Sequence, residues 1–473
     1  MTLIKSISGI RGTIGGTPGE GLSPMDIVKF TYAYCAKLKE RRPKPEAERY
    51  RIVVGKDARL SGDMVEQLVC GTAVACGVDV IKAGFASTPT TEMAVTFEEA
   101  DGGIILTASH NPKQWNALKL LNEKGEFLNA QEGAAILKCA EEGDFTFAGV
   151  DALGAIEEKD FTDAHLDAVL ELPTVDIEAI KAAGFKVVLD AVNSVGGIII
   201  PRLLERLGVE CICVNCEPTG EFAHNPEPLP SNLVELSEAV VANNADFGIS
   251  VDPDVDRLAL ICEDGKPFGE EYTLVSIADY LLSKLYHEGA SPCSLVTSSN
   301  LSSSRALRDV TEQYGGEYFA AAVGEVNVTT KMRECGAVIG GEGNGGVIYP
   351  ALHYGRDAIV GVALFLTNLA YKKVKVSELR ASYPEYVIAK NKIELSDNAL
   401  IDSILEAVKT KYAAEDINTI DGVKISFEER KEWVHLRRSN TEPIIRIYAE
   451  AATAEAADAL AQQIIDIADT IIK

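Results

Sequence analysis

Residues 102–112 read "GGIILTASHNP", an apolar run that passes directly into a polar turn. A continuous apolar run bounded by turn residues predicts a strand buried on both faces, as in the sheets of α/β proteins. In open sheets of this kind ligands bind beyond the carboxyl ends of the strands, which makes Ser109 a candidate site residue. Serine is also a common helix N-cap, but Pro112 biases Asn111 away from the helical region. A regular helical turn directly after Ser109 is therefore not expected.

Strands and helices alternate before this stretch. "YRIVVGKDARLSG" at 50–62 predicts a strand that ends in a polar turn. "SPMDIVKFTYAYCAKLKE" at 23–40 opens with Ser23, Pro24 and Asp26 in a capping-box arrangement, which predicts a helix.

The same alternation recurs over 184–265 and over 270–350. Residues 432–451 instead read as two alternating strands joined by a polar loop, and a helix follows them. We predict the α/β class, with three similar mixed α/β domains and a smaller C-terminal α+β domain. The predicted domains are 1–165, 166–268, 269–384 and 385–473.

Length and charge limit the function classes. At roughly 150 residues per domain, 473 residues predict three or four domains. A formal net charge of −26 argues against nucleic acid or an anionic membrane as partner, because both need a basic face. No stretch approaches the roughly 18 apolar residues that span a bilayer, and the N-terminal residues show no signal-peptide core. We therefore expect a cytoplasmic protein.

The ten cysteines do not suggest a disulfide scaffold in a chain of this length. Cys211, Cys213 and Cys216 in "ECICVNCEP" raise the alternative of zinc, but no second Cys or His pair follows at a finger-like spacing. "CICV" is instead interpreted as a buried strand.

The stretch "SVDPDVDRLAL" at 250–260 carries Asp252, Asp254 and Asp256 at every second position. Three converging carboxylates are unfavourable unless a cation lies among them, and oxygen ligands alone select Mg²⁺ or Ca²⁺. An EF-hand is excluded, because the sixth position holds Arg257 where that loop needs glycine. The alternative is a solvated acidic turn.

Two further loops are candidate binding sites. In "HLRRSNTEPIIRIYAE" at 435–450, arginines flank a turn rich in hydroxyl and amide donors, which suits phosphate oxygens; the alternative is a hairpin with exposed arginines. In "GGEGNGGVIYP" at 340–350, Glu342 and Asn344 lie on a backbone with little bulk, where they suit sugar hydroxyls; the alternative is a plain turn.

Taken together and in this order, four loops resemble those of the α-D-phosphohexomutase family, which includes phosphoglucomutases, phosphomannomutases and phosphoglucosamine mutases. They are "TASHNP" (107–112), "DPDVDR" (252–257), "GEGNG" (341–345) and "RRSNTEP" (437–443). Further similarities are "GIRG" (9–12), "GKDARLSG" (55–62) and "NALKL" (116–120). Bacterial members often have a histidine after the sugar loop, where this chain has Gly346, so the loop is closer to that of archaeal-type members. His353 is the nearest substitute, and the alternative for it is a structural role.

The resemblance implies a heart-shaped, four-domain fold around a central cleft. It implies phosphorylation of Ser109 and one Mg²⁺ per chain, held by Ser109, Asp252, Asp254 and Asp256. Arg11 and Lys119 would act near the transferred phosphoryl group, and His110 would orient the loop or contact phosphate. The substrate-binding residues would be Arg257, Glu342, Asn344, Arg437, Ser439, Asn440, Thr441 and Arg446.

The implied reaction interconverts hexose 6-phosphate and hexose 1-phosphate through a phosphoserine enzyme, with hexose 1,6-bisphosphate as intermediate and activator. The phosphosugar favoured is glucosamine phosphate; the first alternative is a phosphomannomutase/phosphoglucomutase of broad specificity. Two alternatives of other classes are a metal-dependent phosphomonoesterase and a non-catalytic sugar-phosphate sensor. The chain is expected to be a monomer or a homodimer.

Overall fold

The computed structural model describes residues 2–6, 9–45, 47–394, 399–438 and 444–472. They form two compact units, one of Met1–Thr273 with Gly345–Ser377 and the other of Leu274–Asn344 with Glu378–Lys473. Within the described residues, no helix has both the length and the apolar character needed to cross a membrane.

The first unit begins with a seven-stranded sheet. Its strands are β1 (Leu3–Ser6), β2 (Gly9–Thr13), β3 (Tyr50–Lys56), β4 (Val78–Phe85), β5 (Gly102–Leu106), β6 (Trp115–Leu121) and β7 (Ile156–Glu158). Their order in the sheet is β1-β2-β6-β5-β3-β4-β7. β3 pairs in parallel with β4 and β5, while β6 runs antiparallel to β2 and β5. The helices of this part are α1 (Pro24–Arg41), α2 (Gly62–Ala75), α3 (Thr88–Phe97) and α4 (Ala130–Glu142).

The predicted local signals of this sheet are confirmed. Ser23 and Asp26 form a reciprocal capping box at the start of α1. All five residues of β5 are buried. Ile104 belongs to the apolar core on one side of the sheet, whereas Ile105 belongs to the core on the other side. No helix begins directly after Ser109, since the next element of the described chain is β6. The strand that carries the serine turn is thus held between two apolar layers.

The chain then forms α5 (Thr162–Leu170), α6 (Ile177–Ala183), β8 (Lys186–Asp190), α7 (Gly196–Arg206), β9 (Glu210–Val214), α8 (Val234–Ala242), β10 (Phe247–Val251) and β11 (Leu258–Cys262). The four strands lie in the order β11-β10-β8-β9. β10 and β11 are antiparallel, so the acidic loop between them connects two buried strands, as predicted.

The interpretation of "CICV" as a buried strand is wrong in one respect. The residues do form β9, but β9 lies at the edge of its sheet, and Cys213 is exposed while Cys211 is partly exposed. An edge strand pairs on one side only and is less completely covered than a central strand.

The second unit begins with α9 (Glu270–His287), β12 (Val296–Asn300), α10 (Ala306–Gln313), β13 (Glu317–Ala321), α11 (Glu325–Cys335) and β14 (Ile339–Glu342). β12 pairs in parallel with both β13 and β14. The chain then contributes β15 (Gly346–Ile348) and α12 (Ala358–Lys372) to the first unit, and α13 (Val376–Ala381) follows. Asp357 caps α12, because its side chain accepts hydrogen bonds from the amides of Ile359 and Val360.

The C-terminal part is antiparallel. Its elements are β16 (Val387–Glu394), α14 (Ala399–Lys411), β17 (Asp416–Asn418), β18 (Val423–Phe427), β19 (Glu432–Arg438), β20 (Ile444–Ala451) and α15 (Ala454–Ile472). The strands lie in the order β16-β20-β19-β18-β17, and one apolar core joins this sheet to α14 and α15. The predicted architecture of three mixed α/β domains followed by an α+β domain is confirmed.

Candidate functional site

Ser109 lies in the turn beyond β5 and has a left-handed backbone with a φ of 48°. This conformation is uncommon for a residue with a side chain and marks a position that its surroundings must hold. The amide of Ser109 donates to Thr107 Oγ1 (2.9 Å), and its hydroxyl donates to Asp252 Oδ2 (2.7 Å). The strained turn therefore directs the Ser109 hydroxyl toward the acidic loop.

Arg59 holds this turn through contacts with its backbone, a role that the sequence alone does not predict. Its guanidinium donates to Asp57 Oδ2 (2.9 Å) and to four backbone carbonyls, those of Ser109, Asn111 (2.7 Å), Pro112 (2.9 Å) and Trp115 (3.0 Å). The Arg59 side chain is completely buried. The serine turn thus closes around a single cation.

Asp252, Asp254 and Asp256 are completely buried, and one carboxylate oxygen of each lies within 4.8 Å of the others. Asp252 Oδ1 accepts from the amides of Asp256 and Arg257, both at 3.2 Å. Burial, together with the two neighbouring aspartates, raises the pKa of Asp252 well above its usual value. A solvated acidic turn is therefore excluded.

Cations of the chain compensate part of this charge. Lys119 Nζ lies 2.7 Å from Asp254 Oδ2 and 3.6 Å from Asp256 Oδ2, and Arg356 Nη2 donates to Asp256 Oδ2 at 2.7 Å. Burial alone would raise the pKa of Asp254, but the Lys119 ammonium and a hydrogen bond from Thr88 hold it below the usual range. Two carboxylates of the triad are thus bound on one side by protein donors.

The opposite oxygens, Asp254 Oδ1 and Asp256 Oδ1, are buried and accept no hydrogen bond from the part of the chain that the structure describes. A buried carboxylate oxygen without a donor is costly unless a cation lies against it. These two atoms and the carboxylate of Asp252 form a set of oxygen ligands that could bind a divalent metal.

Arg11 and His110 lie beside the serine turn. Arg11 Nη1 donates to Asn111 Oδ1 at 2.9 Å, and His110 Nδ1 is 3.3 Å from the Ser109 hydroxyl oxygen. Burial, reinforced by Arg257 and Arg11, lowers the pKa of His110 to about 2. At neutral pH its imidazole is therefore uncharged. Arg257 is also buried, with Nη1 3.6 Å from Glu227.

His353, named above as the nearest substitute for the missing histidine, lies in the first unit. Its ring nitrogens are 3.4 Å from Glu92 Oε2 and 3.3 Å from Asp357 Oδ2. Asp357 also contacts His165 at 3.0 Å while it caps α12. These contacts tie His353 to the structure around the start of that helix.

The second unit contains the other predicted residues. Glu342 is buried, and its Oε1 accepts from Asn300 Nδ2 (2.9 Å) and from the amide of Gly324 (3.2 Å); Asn344 is partly buried two residues further on. Arg437 and Arg446 face each other directly across β19 and β20. Ser439, Asn440 and Thr441 lie outside the described residues.

The facing arginines form a like-charged pair on the side of the C-terminal sheet away from its core. Ile445 and Ile447, the neighbours of Arg446, are buried on the core side, as the alternation predicted. Like charges directly opposite each other in a sheet are unfavourable, and an anion between them removes this repulsion.

Among the described residues, Asp57, Arg59, Thr88, Thr107 and Arg356 contact the site but were not predicted as site residues. Residues 57 and 59 lie in the stretch "GKDARLSG", which resembles the family's sequences but does not by itself assign a role to these side chains. Their partners are about 50 residues away in the chain, and the spacing of residues gives no signal for such a contact.

Comparison with known proteins agrees with the loops. Four models of phosphoglucomutase/phosphomannomutase match this chain: the α/β/α domains I, II and III at residues 3–147, 163–265 and 270–386, and the C-terminal domain at 390–467. A phosphoglucomutase/phosphomannomutase of Thermococcus kodakarensis is 35% identical over 451 residues, which cover 94% of this chain and 95% of that protein.

A probable phosphoglucosamine mutase of Pyrococcus horikoshii is 32% identical over 469 residues, covering 98% of each chain. The crystal structure of a phosphoglucomutase/phosphomannomutase family protein from Burkholderia thailandensis superposes with a TM-score of 0.82 at 24% identity, covering 98% of this chain and 97% of that one. The matched models span most of the chain, and so do the relatives. The chain therefore belongs to the phosphoglucomutase/phosphomannomutase family and is a mutase, an enzyme of the isomerase class.

Proposed function

We propose that the protein interconverts glucosamine 6-phosphate and glucosamine 1-phosphate through a phosphorylated Ser109 and a 1,6-bisphosphate. The observation that carries this proposal is the 2.7 Å contact of the Ser109 hydroxyl with Asp252 inside a buried aspartate triad. A phosphate on this serine would bring its oxygens to the place where the triad favours a cation.

The reaction needs two transfers. In the first, the bond between phosphorus and the Ser109 oxygen breaks and a new bond forms from phosphorus to the free hydroxyl oxygen of the sugar phosphate, whose proton ends on the Ser109 oxygen. In the second, the Ser109 oxygen attacks the other phosphorus of the bisphosphate, the bond from that phosphorus to the sugar oxygen breaks, and the Ser109 proton ends on the sugar oxygen. Neither transfer consumes water or releases phosphate, so the net result is an isomerised sugar.

The chain's own residues position these groups. Arg59 fixes the serine turn, Asp252 orients the hydroxyl, and Lys119 holds Asp254 in place. Arg11 and the neutral His110 stand beside the serine as donors to phosphoryl oxygens. A bound Mg²⁺, held by Asp252, Asp254, Asp256 and the serine phosphate, would neutralise charge on the transferred group.

We also propose substrate-binding roles for residues of the second unit. Glu342 and Asn344 would contact sugar hydroxyls, while Arg437 and Arg446, with Ser439, Asn440 and Thr441, would bind the phosphate that does not react; Arg257 of the first unit would also contact substrate. The facing arginines support this role, because a phosphate offers oxygens to both. We expect Arg437→Met to raise the KM for sugar phosphate more than it lowers kcat.

Intact-mass measurement tests the phosphoenzyme. The wild-type protein incubated with glucose 1,6-bisphosphate should gain about 80 Da, the mass of one phosphoryl group, and Ser109→Ala should not. If both proteins gain the same mass, another residue carries the phosphate. No gain in the wild type would favour a sugar-phosphate sensor.

Turnover tests the substrate. With Mg²⁺, we expect glucosamine 6-phosphate to be converted faster than glucose 1-phosphate or mannose 1-phosphate. The second candidate, a broad phosphoglucomutase/phosphomannomutase, is favoured by the name of the Thermococcus kodakarensis relative. It would be supported if glucose or mannose phosphate reacted much faster. Release of inorganic phosphate without isomerised sugar would instead indicate a phosphomonoesterase.

A further inference from the structure

The carboxyl ends of β12 and β14 lie side by side in the second unit, and each strand ends in a polar side chain. The two strands pair in parallel, so their last residues, Asn300 and Glu342, are neighbours at the same edge of the sheet. After Asn300 the chain turns through "NLSS" at 300–303, and the Ser303 amide donates to the Asn300 carbonyl oxygen at 3.0 Å. Asn300 and Ser303 are buried, and the proposed function assigns no role to either of them.

Asn300 is a hydrogen-bond donor of fixed orientation. Its Nδ2 donates to Glu342 Oε1 at 2.9 Å. On the other side of the amide, its Oδ1 accepts from the amide of Ser302 at 2.9 Å and from the hydroxyl of Ser303 at 3.2 Å. These two donors require the amide oxygen on their side, which leaves the NH₂ group toward the carboxylate. The turn thus presents an N–H donor to Glu342.

Ser303 holds the residue that follows Glu342. Its hydroxyl oxygen accepts from the amide of Gly343 at 3.0 Å, while its proton is donated to Asn300. A hydroxyl can donate and accept at the same time, so both contacts coexist. The side chain of Glu342 and the backbone of Gly343 are therefore held by the same turn.

The middle of the turn contacts the C-terminal sheet instead. Ser302 Oγ lies 2.9 Å from Nδ1 of His435, which is on β19. The carbonyl oxygen of Leu301 accepts from Lys424 Nζ at 2.7 Å. These contacts do not involve the side chains at the two ends of the turn, so replacement of those side chains leaves them in place.

We propose, on the basis of the contact proposed above between Glu342 and sugar hydroxyls, that Asn300 and Ser303 are positioning residues for the sugar loop at 341–345. They set the affinity of the protein for the sugar part of its substrate. Asn300 fixes one carboxylate oxygen through a charge-assisted hydrogen bond, and Ser303 fixes the backbone beside it. A carboxylate held in this way meets a sugar hydroxyl without first losing rotational freedom, which strengthens binding.

Calorimetric binding of glucosamine 6-phosphate and glucose 1-phosphate to the Ser109→Ala protein tests Asn300 without turnover. Asn300→Asp keeps the acceptor oxygen that the turn needs, but it replaces the NH₂ group with an oxygen that repels the Glu342 carboxylate. We expect the Kd to rise about 10-fold for Asn300→Ala and about 100-fold for Asn300→Asp. A role in packing alone predicts the reverse order, because aspartate retains the size of asparagine. That order, or an unchanged Kd in both variants, would overturn the assignment.

Two controls separate positioning from a general loss of structure. Ser303→Ala should raise the same Kd about 5-fold, whereas Ser302→Ala, which removes the hydroxyl that faces His435, should change it by less than about 2-fold. Inorganic phosphate carries no sugar hydroxyl and should bind all these variants as tightly as it binds the parent Ser109→Ala protein. Equal losses in the two serine variants, or an equal loss of phosphate binding, would contradict a positioning role. If neither sugar phosphate binds the parent protein, the proposed function fails, and the positioning role fails with it.

Discussion

Replacement of Arg59 by lysine tests whether one buried cation holds the serine turn. Arginine serves five acceptors here, the carboxylate of Asp57 and four backbone carbonyls between residues 109 and 115. Lysine keeps the charge, so Asp57 keeps an ionic partner. An ammonium has only three donors, however, so at least two of the five acceptors lose their hydrogen bond.

The expected cost follows from these two acceptors. A buried polar group that loses its partner destabilises a protein by about 1–3 kcal/mol, so two of them lower the free energy of unfolding by about 2–6 kcal/mol. We expect a loss of about 4 kcal/mol for Arg59→Lys. Arg51→Lys is the matched control, because Arg51 is a half-exposed arginine of the same domain whose Nη1 is 3.7 Å from Glu98. Its effect should stay within about 0.5 kcal/mol.

Urea unfolding followed by tryptophan fluorescence measures the loss. The chain has two tryptophans, Trp115 in the first unit and Trp433 in the second. In a Trp433→Phe background, the fluorescence of Trp115 reports on the first unit alone, and the carbonyl oxygen of Trp115 itself accepts a hydrogen bond from Arg59. A loss below about 1 kcal/mol for Arg59→Lys would refute the reasoning, since the turn would then not depend on the number of donors.

Three other changes test the buried charges and the close backbone contacts. Lys119→Met leaves its aspartate partner uncompensated at a cost of about 3–5 kcal/mol, so MgCl₂ should raise the melting temperature of this variant more than that of the wild type; an equal rise would contradict the metal assignment. Burial lowers the pKa of His435 from 6.5 to about 4, so the unfolded chain binds a proton between these pH values that the folded chain does not. Stability is then lost as pH falls, by about 2 kcal/mol between pH 7.5 and 5, and urea unfolding of His435→Asn should lack this part of the pH dependence. Gly197→Ala would place a Cβ 1.8 Å from the carbonyl oxygen of Cys216 and should lower the melting temperature by several degrees, whereas Gly71→Ala, which meets nothing within 4 Å in a helix, should leave it unchanged or raise it.

Local signals in the sequence were sufficient for the elements that carry the site. The apolar run before Ser109 and the strands around Asp252 depend on neighbouring residues only, and both elements form as predicted. The position of a strand within its sheet could not be predicted in this way. The strand β9 has the apolar character of an inner strand but pairs with a neighbour on one side only. Its neighbours are decided by the order of the strands, which the residues of β9 do not encode.

Contacts between residues that are far apart in the sequence could not be predicted from the sequence patterns either. Arg356 donates to Asp256 from 100 residues away, and Arg59 reaches the serine turn from 50 residues away. Each arginine, taken with its neighbours, is equally compatible with an exposed position. A single sequence does not indicate which charged side chains contact each other in the fold. The aspartate triad could be recognised because its three residues are close together in the sequence.

The number of carboxylate oxygens that the aspartate triad leaves available affects which divalent ion would fit the site. Protein donors already occupy Oδ2 of Asp254 and of Asp256, so each of these carboxylates has one oxygen left for a metal, and Asp252 adds a third. Three single oxygens fill half of an octahedron. Mg²⁺ tolerates this arrangement, because it retains water or phosphate oxygens in its other positions. Ca²⁺ takes six to eight oxygens and often binds carboxylates through both of their oxygens, which the contacts of Lys119 and Arg356 with Oδ2 would disfavour. For a metal bound as proposed, the two basic side chains would therefore favour Mg²⁺ over Ca²⁺ by limiting the coordination number.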